Sequence, residues 1–99
     1  MATTTTTTRR VATSLEALSL MLGDLPEVAQ EWPQMGKAER ASWSLDWDQV
    51  IGTHLQVLDQ HYHAGAMTLH QQAEYNETRR RLGELLPIVR QLGLFEPLD

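Results

Sequence analysis

The sequence predicts an all-α protein, a small helical bundle with a long antiparallel helix hairpin. Three observations predict it. Apolar residues recur at spacings of three and four along most of the chain, the period of a helix face, and no strand-like alternation appears. A helix stop at Gly65 and a helix start at Thr68 stand three residues apart, which leaves no room for a crossover connection. A chain of 99 residues makes one domain, large enough for a core but with little surplus.

Residues 1–8, dominated by the threonine run Thr3–Thr8, have no large apolar side chain after Met1 and are read as a disordered tail. A single helical domain, 9–99, follows. Its first helix is expected over 9–22, where Val11, Leu15, Leu18 and Leu22 share a face that Leu25 continues. Gly23 then reads as a stop. Asp24-Leu-Pro-Glu27 reads as a new start, with Asp24 as N-cap and Pro26 in the first turn. The short helix it opens, 25–32, ends before Pro33.

The hairpin's first arm is expected over 37–64, beginning after Gly36 or restarting at Ser44. Trp43, Trp47, Val50, Ile51, Leu55, Leu58 and Tyr62 form its apolar stripe. Gly52 lies inside it, where a small residue suits close helix approach. At the turn, Gly65 supplies the left-handed cap conformation, and Thr68-Leu-His-Gln71 matches a capping box. The second arm, 69–92, carries Tyr75, Leu82, Leu85, Val89 and Leu92 on a near-heptad seam. Pro87 removes one backbone hydrogen bond and is expected to kink or restart that arm, and Gly93 closes it.

At 1.5 Å per residue the arms reach about 42 and 36 Å, against about 21 Å for the first helix. The shorter N-terminal helices would cover only part of such a hairpin. An exposed apolar stripe is therefore expected, and with it a homodimer or a docked helical protein partner.

The net charge of −5 is concentrated in the middle of the chain. Residues 24–67 carry Asp24, Glu27, Glu31, Glu39, Asp46, Asp48 and Asp59 against only Lys37 and Arg40. An acidic middle disfavours a nucleic-acid groove and suits a basic protein partner. Arg79, Arg80 and Arg81 are the only basic run, but three successive helix positions span about 200° of arc and cannot form one patch. Glu77 with Arg81 and Arg80 with Glu84 are spaced as ion pairs on a solvated face. No apolar run approaches the roughly 20 residues that span a bilayer, so no membrane is expected. With no cysteine there is no disulfide or thiolate chemistry, which fits a reducing, cytoplasmic setting.

Two groups of residues are candidate sites. Trp43 and Trp47, one turn apart, read first as core. As a binding surface they would join Asp46 and Asp48 as partner-contacting residues, since tryptophan anchors many interfaces. Around the turn, Asp59 with His63 and His70 with Glu74 form two carboxylate–imidazole pairs at i,i+4, spacing that suits a divalent metal. With Leu58 and Tyr62 pointing inward on the first arm and Gln71 and Tyr75 on the second, the two pairs fall on opposite flanks. No nucleophile elbow, phosphate loop or paired-carboxylate motif is present, so no enzyme activity is expected. The expected function is a non-enzymatic protein–protein interaction or regulatory module acting through the hairpin, needing no cofactor. The alternative is a bundle binding a divalent metal or small ligand beside the turn.

Overall fold

The computed structural model describes residues 5–97. It is an all-α bundle of three helices: α1 (Thr5–Glu31), α2 (Lys37–His63) and α3 (Leu69–Gln91). A 3₁₀ turn at Trp32–Gln34 joins the first two. No strand occurs among the described residues.

The largest departure from expectation is α1. It runs unbroken for 27 residues through Gly23, Asp24 and Pro26, so the separate helices at 9–22 and 25–32 are one. The reason lies in burial. Val11, Leu15, Leu18, Leu22 and Leu25 form a single stripe, with Leu22 and Leu25 only 1% and 0% exposed. A proline inside a helix costs about 3 kcal/mol. Burying two leucines returns about 1.5–3 kcal/mol each, enough to hold the helix through the proline. Thr5–Thr8 are also helical rather than a disordered tail, and the Thr8 carbonyl accepts a 3.0 Å hydrogen bond from the Gln71 amide. Residues 1–4 of the expected tail lie outside the described residues.

Helix α2 starts directly after Gly36, whose N–H donates to the Glu39 carboxylate at 3.0 Å. Ser44 therefore does not cap it. The turn follows the sequence closely. Gly65 has φ +70°, and the Ala66 and Gly65 N–H groups bond to the His61 and Tyr62 carbonyls at 2.9 and 3.1 Å. This is the paired-bond Schellman arrangement. Thr68 Oγ1 accepts from the Gln71 N–H, and Gln71 Oε1 accepts from the Thr68 N–H, completing the capping box. The same Schellman cap recurs at Gly93, where the Leu94 and Gly93 N–H groups meet the Val89 and Arg90 carbonyls.

Pro87 does not restart α3, which continues to Gln91. The carbonyl it leaves without a partner is that of Gly83, four residues earlier. Gly83 and Pro87 are both exposed, so water serves that carbonyl at small cost.

The helices run up, down and up. Ser14 meets His54, and Trp32 meets Arg40, so α1 and α2 are antiparallel. Thr8 meets Gln71, and Ser19 meets Arg81, so α1 and α3 are parallel. Helix α1 is the close neighbour of both arms. Long side chains bridge α2 and α3, with the Tyr62 and Tyr75 rings stacked at 4.5 Å.

Since α1 matches α2 in length, the arms do not outreach their cover. Among the described residues, the exposed large apolar side chains are Leu20, Leu45, Leu69 and Phe95, one on each helix and one beyond α3. The geometric ground for expecting a continuous exposed stripe is therefore absent.

Candidate functional site

The four candidate partner-contacting residues divide into two groups. Trp47 is completely buried, and its indole N–H donates to the Phe95 carbonyl at 2.7 Å. It ties α2 to the segment after α3, so it cannot anchor a partner, and the partner-contact reading of Trp47 is corrected to core. Trp43 is partly buried and stacks on Trp47 at 5.8 Å between centroids. Asp46 and Asp48 are exposed and enter no ion pair or hydrogen bond among the described residues.

The four candidate metal ligands remain in separate pairs. His70 Nε2 lies 3.2 Å from the Glu74 carboxylate on an exposed stretch of α3 facing α1. Asp59 and His63 line a groove on the other side. The Tyr75 hydroxyl donates to Asp59, which also lies 3.7 Å from Arg79. Among the described residues, no three histidine, aspartate or glutamate side chains converge as a metal would require.

The Asp59–Tyr75 contact perturbs the phenol. Burial, then the hydrogen bond and negative charge of Asp59, push the Tyr75 pKa up to about 12. The other two histidines are structural neighbours. His61 Nδ1 sits 2.8 Å from the Val57 carbonyl. His54 Nδ1 sits 2.9 Å from Ser14 Oγ. That serine is 2% exposed, and no carboxylate bonds to the imidazole among the described residues, so the pair lacks the orienting group of a hydrolytic triad.

Arg80 pairs with Glu77 and Glu84 on the solvent face of α3. These contacts hold the Glu77 carboxyl below the usual carboxylate range and raise the Arg80 guanidinium. Arg81 turns instead to Ser19 Oγ at 3.2 Å, so the expected Glu77–Arg81 pair is replaced by Glu77–Arg80. The basic run is thus locally engaged.

One surface feature was misread in the sequence. Gly52 does not mark a close helix approach, because a Cβ built there would meet nothing within 4 Å. It opens onto a groove of about 520 Å³ beside α2. Ile51 and Leu55 form the floor, Gln56 and Asp59 extend it along the helix, and Phe95 and Pro97 form the far wall. Leu45 and Asp48 precede Gly52 at helical spacing and continue the same outer face of α2. Leu45 and Phe95 are 57% and 48% exposed.

Among the described residues, no helix is long and apolar enough to cross a membrane. No family model, characterised protein or solved structure matches this chain.

Proposed function

We propose that the chain is a non-enzymatic interaction module whose groove beside α2 receives a basic amphipathic helix from a protein partner. The observation that carries this reading is the open space over Gly52 between α2 and Phe95. Helix-in-groove recognition needs an apolar trough wide enough for anchor side chains. Phe95 supplies the exposed apolar wall, the nearly buried Ile51 and Leu55 close the floor beneath it, and the missing side chain at Gly52 supplies the width. Leu45 adds exposed apolar surface one to two turns away.

Charge selects the partner's chemistry. Asp48 stands on the groove face and Asp46 on the adjacent flank, and neither has an intramolecular cation among the described residues. Lysines or arginines on the incoming helix would complete them, steering association and fixing register, and a like charge placed there would oppose binding. A second copy of the chain fits less well. Each copy carries a net charge of −5, which opposes self-association, and its Arg79 and Arg80 already lie beside its own acids.

The test is quantitative affinity capture from the native host with the wild type and Asp48→Lys side by side. The reading expects a protein retained by the wild type, released by raised salt and lost from the variant. Equal retention by both, or retention indifferent to salt, would overturn it.

A further inference from the structure

A second cavity, of about 500 Å³, lies where the start of α1 meets α2. Its chemistry is one-sided. Arg9, Arg10, Thr6 and Thr13 line it from α1, and Thr53 and His54 face them from α2. Among the described residues no carboxylate lines it, although the chain holds 13 acids and a net charge of −5.

The two arginines differ from the others in the chain. Arg40 donates to the Trp32 carbonyl, Arg80 and Arg90 pair with glutamates, Arg79 lies beside Asp59, and Arg81 reaches Ser19. Arg9 and Arg10 are exposed and make no ion pair or hydrogen bond among the described residues. The positions three and four residues away on α1 hold threonine, alanine and serine, so no acid stands at ion-pair spacing. At the cavity floor, the buried Ser14 hydroxyl holds His54 through Nδ1 at 2.9 Å. Nε2 is then the ring atom left for a ligand, and it carries the proton when the serine hydroxyl donates.

We propose that this cavity binds a small molecule carrying a phosphate group. Guanidinium forks match the oxygens of phosphates and carboxylates alike. Charge favours phosphate. Two guanidinium groups, with no lining carboxylate among the described residues, match a phosphate monoester, which carries about −1.5 to −2, better than a carboxylate, which carries a single negative charge. Val57 gives one apolar wall, and the remaining volume accommodates an organic remainder.

The inference is independent of the Gly52 groove, and one experiment tests it. The full chain is titrated with inorganic phosphate, phenyl phosphate and benzoate at constant ionic strength, and backbone amide shifts are followed by NMR. Saturable shifts confined to Thr6–Ser14 and Thr53–Val57 are expected, with phenyl phosphate tighter than phosphate and benzoate weakest. Arg9→Gln with Arg10→Gln should weaken binding by about tenfold or more while the helical CD spectrum is unchanged. Thr53→Val, on the opposite wall, should weaken it by a smaller factor. Shifts that never saturate, benzoate binding as tightly as phenyl phosphate, or a double variant that binds like the wild type would each overturn the proposal.

Discussion

Replacing Gly23 by alanine should stabilise the fold. The residue lies in the interior of a continuous α1, and a Cβ added there meets only Arg81 Nη2, at 3.9 Å, an ordinary contact. Steric cost is therefore absent, and helix propensity decides the sign. Glycine is less favourable than alanine in a helix interior by about 0.8–1.0 kcal/mol. For a domain of this size that corresponds to a rise in Tm of roughly 4–8 °C. The assay is thermal unfolding followed by far-ultraviolet CD, with urea unfolding to confirm that the m-value is unchanged. If the chain instead broke at Gly23, as the Gly-Asp-Leu-Pro pattern suggests, glycine would be needed in the left-handed region. Alanine would then cost about 1–2 kcal/mol. A fall in Tm would refute the continuous helix.

Further outcomes follow from the same structure. Gly65→Ala should move stability the other way, lowering it by about 1–2 kcal/mol, because Gly65 sits at φ +70°; urea denaturation reads the change. Trp47→Ala should cost about 3–5 kcal/mol, since it empties a fully buried site and removes the bond to the Phe95 carbonyl. Tyr75 makes the fold alkali-sensitive. Its phenol ionises near pH 10 when unfolded and near 12 when folded, so the folded state binds more protons in between and stability falls as pH rises through that window. Tyr75→Phe should flatten the decline, and an identical pH profile for both proteins would contradict the assigned environment. Zinc or nickel should leave Tm unchanged, and a saturable rise on adding either would mean that His63 and His70 come together in solution.

The parts of this fold legible in the sequence are those set by neighbours along the chain. Gly65, Thr68 and Gln71 define the turn because each partner lies within three residues of the next. The two carboxylate–imidazole pairs stay apart, Asp59 and His63 beside the groove and His70 and Glu74 on the stretch of α3 that faces α1. What local signals miscast was decided by tertiary contacts. The stop-and-start pattern at Gly23–Pro26 is overridden by burial of Leu22 and Leu25 against the arms. Spacing places Trp43 and Trp47 on one face but cannot say which is covered, because the covering segment around Phe95 lies 48 residues away. Ser14 and His54, 40 residues apart, have no shared local pattern. Gly52 shows the limit most clearly. A glycine inside a helix fits both a tight contact and an open groove, and only the placement of the C-terminal segment distinguishes them.

Gly52→Lys separates binding at the groove from stability, because it moves folding and binding in opposite directions. With nothing within 4 Å of its Cβ, the lysine costs the fold no contact, and it replaces the poorest helix former after proline with a good one. Its long cationic side chain occupies the trough and repels a basic helix. The account predicts a higher melting temperature together with loss of the protein retained by the wild-type chain. Undiminished retention by a well-folded Gly52→Lys variant would contradict it.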